Sequence, residues 1–254
     1  MLWVKNIWEI SLPNQAEKGY LIPAIGEVYV KCAKQLANSI LQWHPNADIT
    51  ILTEDMLPYG KFTGFANDWQ CYEASPYEKT IKLEADMWCA SPVDHWWDLF
   101  SNRDVVISQG CRNFYNEPGK SRIYRKIFDN NNLPDVYNGI TYWQVSNTAE
   151  EFFKLVRDIF ENWEKYKTLL KFPDEIPTTD VVYGVAAVIM EVENVTLPAG
   201  MGPTMVHMKK NMIPITTEKW TNELIFEQTN PGVRINTVAQ WGLVHYHVKE
   251  IENE

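Results

Sequence analysis

Between Tyr20 and Leu52 the chain alternates in a pattern that few folds can use. Tyr20 to Ile25 is an apolar run closed by Gly26, which reads as a strand and a turn. From Tyr29 onward, Val30, Ala33, Leu36, Ala37, Ile40 and Leu41 recur at three- and four-residue spacing, which predicts a helix. His44-Pro45-Asn46 stops it, and Ile49 to Leu52 forms a second short strand. A strand, a helix and a strand within about forty residues predict parallel pairing through a right-handed crossover. That commits the chain to an α/β fold with a mainly parallel sheet flanked by helices.

The next segment carries the chemistry. Thr80 to Leu83 reads as a third strand, and it ends on Glu84-Ala85-Asp86. On an extended chain side chains at i and i+2 point the same way, so both acids project together from the strand's carboxyl end. Two hard oxygen ligands at such an edge suit Mg²⁺ or Mn²⁺, which bind through one or two carboxylates plus substrate phosphates. A solvated acidic turn is the alternative for such a triplet taken alone. Ser91-Pro92 then has the form of a helix start, Ser as cap and Pro at the first helical position.

Further on, Val105 to Ser108 reads as a strand and Gly110 to Pro134 as a long polar excursion. Gly139 to Val145 alternates like a strand, Thr148 to Leu170 reads as one long amphipathic helix, and Asp180 to Met190 as a buried one. Val233 to Thr237 and Gly242 to His247 are strand-like. With 254 residues, 45% of them hydrophobic, and no repeat or linker, one domain over 1–254 is expected. The net charge of -10 counts against general nucleic-acid binding, which needs clustered Lys and Arg. Lys120, Arg122, Arg125 and Lys126 form a local basic group that a solvated helix face would also explain. Cys32, Cys71, Cys89 and Cys111 lack CxxC spacing and read as reduced, packed thiols of a cytoplasmic protein. Trp3, Lys5, Trp8 and Glu9 are not what a signal peptide would carry, so none is expected at the start, and Val181 to Met190 is too short to span a bilayer.

The order of these parts resembles the metal-dependent GT-A glycosyltransferases, most closely the retaining glycogenin and galactosyltransferase-like family. Ala24 to Tyr29 is similar to its strand, turn and helix-opening aromatic; Tyr77-x-Lys79 followed by Leu83-Glu84-Ala85-Asp86 is similar to its acid-x-acid segment. Tyr137-Asn138-Gly139 is similar to its Asn-Ser-Gly, and Asp180 stands at the head of a buried helix where the family usually has Asp-Gln. The chain departs at Glu84, where Asp is usual, at Val181 in place of Gln, and at a degenerate C-terminal His signature.

The resemblance implies roles. Asp86 is the expected metal ligand, and Glu84 shares the ion or bonds the donor's ribose. His245 or His207 would be the third ligand, with Lys249 on the phosphate side. Tyr29 would stack on the nucleobase, Lys79 would contact phosphate or ribose, and Asn138 and Asp180 would line the sugar pocket. Packing and helix capping explain Tyr29 and Asp180 equally well. Trp69, Trp143 and Trp241 are candidates for an acceptor shelf.

The implied activity is transfer of a sugar from a nucleoside-diphosphate sugar, such as a UDP-sugar, to an acceptor hydroxyl, with Mn²⁺ or Mg²⁺. A sugar-phosphate nucleotidyltransferase would want a Gly-rich basic loop after the first strand, where only Gly26 stands. A binding module without turnover is the third class, supported by Glu84 and Val181. The acceptor is open. Small enzymes of this form occur in bacteriophages, where a modified DNA base is one acceptor, and a single flipped base needs only a local basic patch.

Overall fold

In the computed structural model, residues 16–60, 68–118, 125–172, 177–198, 201–208, 224–229 and 232–246 are described. Strand β1 (Lys18–Pro23) leads through Gly26 into helix α1 (Glu27–Trp43), then β2 (Ile49–Leu52). Gly26 holds φ at 85°, a left-handed conformation that glycine adopts without a Cβ penalty. Cys32, Ala33, Leu36 and Ile40 of α1 are buried against the sheet, and the His44 N–H closes the helix on the Ile40 carbonyl. Both β2 and β3 (Lys79–Leu83) pair parallel to β1, so the opening β-α-β unit is as its pattern predicts.

In the rest of the main sheet one strand, β6, runs the other way. Helix α2 (Gln70–Ala74) precedes β3; β4 (Met87–Cys89), α3 (His95–Phe100), β5 (Val105–Gln109), α4 (Lys126–Asn130) and β6 (Val136–Gln144) follow it. The strand order is β2-β1-β3-β6-β5, with β6 antiparallel to both β3 and β5. The sheet is therefore mixed, parallel on one side of β3 and antiparallel on the other. The architecture is α/β, with helices flanking this mixed core sheet.

The predicted long helix is two, α5 (Asn147–Glu161) and α6 (Trp163–Leu170). At Asn162 the backbone turns to φ -111°, and its side-chain amide donates to the Asp158 carbonyl and carboxylate. That local bond competes with helix continuation. Ser146 caps α5, its hydroxyl accepting from the Ala149 N–H at 3.1 Å. Helix α7 (Thr179–Ile189) is buried almost all round, in contact with α5 and β6. The short α8 (Val192–Val195) follows.

A second sheet carries half the site. β4, β7 (Met205–His207) and β11 (Leu243–His245) form a three-stranded sheet in the order β4-β11-β7. β8 (Phe226–Gln228), β9 (Val233–Ile235) and β10 (Val238–Ala239) make a third. Because β4 intervenes, Ser91 is no helix cap: its hydroxyl accepts the Gly242 N–H at 2.8 Å, tying β4's end to the start of β11. Among the described residues no helix is long and apolar enough to cross a membrane.

Candidate metal centre

The chain changes sheets across the acid-x-acid triplet. Glu84 is still on the main ladder, its N–H donating to the Gly139 carbonyl at 3.1 Å. Three residues later Met87 opens β4, paired antiparallel with β11 so that Met87 faces His245. The Asp86 carbonyl accepts the Tyr246 N–H at 3.1 Å and locks the crossing. Two backbone ladders thus bring the acids and His245 together: Nε2 of His245 is 3.2 Å from Glu84 Oε2 and 3.2 Å from Asp86 Oδ1.

One ligand atom from each of Glu84, Asp86 and His245 lies within 4.8 Å of the others. Asp86 is 4% and His245 5% exposed, so the donors are fixed by packing. Ligands at right angles about an octahedral ion are about 3 Å apart when each bond is about 2.1 Å. The 3.2 Å separations match that spacing. Two carboxylates with one imidazole suit Mn²⁺, which accepts both oxygen and nitrogen donors, and Mg²⁺ if water completes its shell. The residues fit a divalent cation.

Burial, then the charges of Asp86 and Asp180, holds the Glu84 carboxyl above the usual carboxylate range, against His245 and Lys82, which favour ionisation. A cation between the acids would remove that penalty.

The other expected residues divide. Asp180, in the first turn of α7, accepts the Asn138 N–H on Oδ1 at 2.9 Å and Arg125 Nη1 on Oδ2 at 3.0 Å. Asn138 is 2% exposed and turns its side chain inward. Its amide donates to Asp68 at 2.8 Å, and its oxygen accepts from the Thr141 hydroxyl at 2.9 Å. Both polar ends of the Asn138 side chain are thus taken up by Asp68 and Thr141. His207 sits beside His245 on β7, its ring 5.2 Å from that of His245 and 5.4 Å from Tyr137. It is not one of the three clustered residues, although parallel pairing sets the two histidines side by side.

Lys79 is a correction. It begins β3, at the amino end, and pairs with Glu17 at 2.8 Å, five residues before Glu84. At strand rise that is roughly 16 Å from the acids. Tyr29 lies in the first turn of α1, 36% exposed. Ala24, Gly26, Glu27, Val30, Lys31, Lys34 and Thr53 to Asp55 line a cleft of about 500 Å³ at this same carboxyl edge, and Tyr29 is outside that lining. Lys249 lies outside the described residues, as do Lys120 and Arg122. Trp69 and Trp143 are buried and form no shelf; Trp241 is half exposed over the Arg112 guanidinium.

Sequence reasoning passed over Asp68, Lys82 and Tyr183 and read Arg125 only as part of a surface group. Arg125 is 2% exposed, stacked between Phe128 and Tyr137, and paired with Asp135 at 2.8 Å as well as with Asp180. A lysine inside the apolar run Thr80 to Leu83 was the one available signal for the rest.

No protein-family model matches the chain, and no curated protein sequence matches it. The chain is similar to solved structures that include the bifunctional glycosyltransferase WbbM, at 13% identity over 78% of this chain with TM-score 0.49. This chain spans 41% of WbbM's length. The galactosyltransferase LgtC, solved with donor and acceptor sugar analogues, is similar over 91% of this chain and 87% of that one, at 13% identity and TM-score 0.47. Mouse xyloside xylosyltransferase 1 is similar over 72% of this chain and 84% of that one, at 9% identity and TM-score 0.41.

Proposed function

We propose that the chain is a divalent-cation-dependent glycosyltransferase of GT-A type, acting on a nucleoside-diphosphate sugar. The observation that carries this reading is the meeting of Glu84, Asp86 and His245 at the junction of two sheets. It stands at the carboxyl ends of parallel strands, where α/β folds place their ligands. Glu84, Asp86 and His245 would hold Mn²⁺ or Mg²⁺, which when bound offsets charge on the departing diphosphate.

The neighbouring cleft suits the donor's nucleoside. β1 and β3 are adjacent, so the cleft at the end of β1 is about one strand spacing, roughly 5 Å, from the end of β3. Its volume of about 500 Å³ is within the usual range for a small-molecule site. Its wall carries Lys31 and Lys34 beside the acids Glu27, Glu54 and Asp55. Asp180, held by Arg125 and the Asn138 N–H, keeps a fixed carboxylate near Glu84 for contact with sugar hydroxyls. The family resemblance supplies the retaining outcome, the UDP nucleotide and the bacteriophage and cytoplasmic settings; the acceptor hydroxyl is undefined.

The test is a panel of nucleotide sugars, with nucleoside diphosphate release measured with Mn²⁺ and with excess EDTA. We expect release from at least one donor, abolished by EDTA and by Asp86→Asn with the fold retained. Undiminished release in EDTA refutes the cation requirement. Donor binding with no turnover for any sugar makes the chain a nucleotide-sugar-binding module.

A further inference from the structure

Beneath the acids lies a buried polar knot that the proposed reaction does not use. Oδ2 of Asp68 accepts three hydrogen bonds, from Lys82 Nζ, Asn138 Nδ2 and the Tyr183 hydroxyl, each at 2.8 Å. The Lys82 side chain is 1% exposed and that of Asp68 12%. A buried ion pair of this kind is a costly way to hold a fold, since apolar replacements of similar volume are often as stable or more so. Its position suggests what it does. Lys82 lies in β3 and Glu84 one residue past its end, still bonded to β6 through its N–H, so at strand geometry their side chains leave the same face about 7 Å apart. The Lys82 charge is felt at Glu84.

We propose that Asp68 is a positioning residue that holds the Lys82 ammonium away from Glu84, leaving the Glu84 carboxylate open to a divalent cation. This rests on the cation reading of Glu84, Asp86 and His245. With Asp68 in place, Lys82 has a full counter-charge and points down into the knot. Without that charge the ammonium is buried and uncompensated, and the acid nearest along its own strand face is Glu84. Lysine and metal then compete for one carboxylate, so a residue that touches neither substrate nor metal controls metal affinity.

The test is direct Mn²⁺ binding, read from the electron paramagnetic resonance of free Mn²⁺, with thermal melting as the fold control. Asp68→Asn keeps the shape and the hydrogen-bond acceptor but removes the charge. We expect it to bind Mn²⁺ at least about tenfold more weakly, the effect of one close opposite charge on a carboxylate. Asp68→Asn with Lys82→Met should bind within about threefold of wild type, because the competing ammonium is gone. Rescue of affinity by removing a second buried group is an outcome that a purely structural role does not produce.

If Asp68→Asn alone does not fold, the double variant and Lys82→Met carry the test, and both should bind Mn²⁺ as tightly as wild type or nearly so. The proposal is overturned if Asp68→Asn binds like wild type. It is also overturned if the folded double variant or Lys82→Met is as weak as expected for Asp68→Asn. Wild type that fails to bind Mn²⁺ removes the cation site itself, and this inference with it.

Discussion

Gly139 is where the sheet carrying His245 rests on the main sheet, and adding one methyl there tests whether that docking sets the metal site. A Cβ at Gly139 would stand 2.7 Å from Met87 Cε and 3.0 Å from both Cε and Sδ of Met205. Met87 is the strand partner of His245 and follows Asp86 directly; Met205 is on the strand at β11's other side. Both contacts are tips of flexible thioethers, which can give. We expect Gly139→Ala to cost about 1–2 kcal/mol, the lower part of the overpacking range. At about 2–4 °C per kcal/mol for a chain of this size, the melting temperature falls by about 2–8 °C.

Gly19 supplies the internal control. A Cβ there would meet the Tyr77 ring at 2.3, 2.4 and 2.6 Å, and that ring is held by a 2.8 Å bond between its hydroxyl and Thr50 Oγ1. A rigid, anchored ring cannot step aside, so Gly19→Ala should cost about 3 kcal/mol or more. Yet Gly19 pairs with Thr80, near the amino end of β3 and away from the acids. The two substitutions should therefore separate stability from function. Gly139→Ala loses less stability but about tenfold in Mn²⁺ affinity, the scale for disturbing a ligand's support. Gly19→Ala loses more stability and keeps Mn²⁺ affinity within about twofold. Melting and Mn²⁺ titration of both variants decide it; equal losses of affinity refute the argument that the Met87–Met205–Gly139 contact sets His245.

His245→Ala should weaken Mn²⁺ binding by about 10- to 100-fold, whereas His207→Ala should lower the melting temperature with Mn²⁺ affinity intact; titration of both variants that gave the reverse would move the ligand role to His207. Proton and cation compete for Glu84, whose carboxyl is held above the usual range, so the folded protein binds this proton more tightly than the unfolded chain does. Without metal, stability contributed by that proton is present at low pH and lost as pH rises through the raised value. Mn²⁺ should therefore raise the melting temperature more at about pH 7.5 than at about pH 5, and an equal rise at both counts against Glu84 as a ligand. Arg125→Lys keeps the charge but not the planar fork that serves Asp135, Asp180 and the Val136 carbonyl. We expect a loss of about 2–4 kcal/mol in urea unfolding, and a loss below about 0.5 kcal/mol would show that the stacked guanidinium is not needed.

How much of this was legible in the residues varies with the range of the interaction. The β-α-β unit, β5 and the buried α7 follow from local periodicity, and the structure has them within a few residues of the expected ends. Strand direction beyond β3 is not local. β6 lies between β3 and β5 and opposes both, a choice made by loop connections rather than by its own apolar pattern. β4 was missed because Met87 to Cys89 is three residues long and its partner is β11, about 150 positions later, at a sequence separation where propensity carries no information. Glu84, Asp86 and His245 were readable because their chemistry is unusual for their context. Asp68 and Tyr183 were not: each is an ordinary residue made important by the groups it meets. Lys79 misled because its role came from the resemblance alone, while five residues of extended strand separate it from Glu84.

The charges around the site suggest why a histidine, and not a lysine or arginine, completes it. Two permanent cations are buried nearby, and each is matched to carboxylates of its own: Lys82 to Asp68, and Arg125 to Asp135 and Asp180. Either would serve as the counter-ion for Glu84 and Asp86 if that pair existed to stabilise the fold. A permanent cation there would exclude a metal. An imidazole behaves differently, because as the neutral base it offers a lone pair to an incoming ion, and as the cation it can bridge the two acids until one arrives. The 3.2 Å spacing from Nε2 to both carboxylates serves either state with little movement. The same logic makes Asp68 necessary. Once a lysine stands two residues before the first ligand, its charge must be held elsewhere, or the site closes on itself.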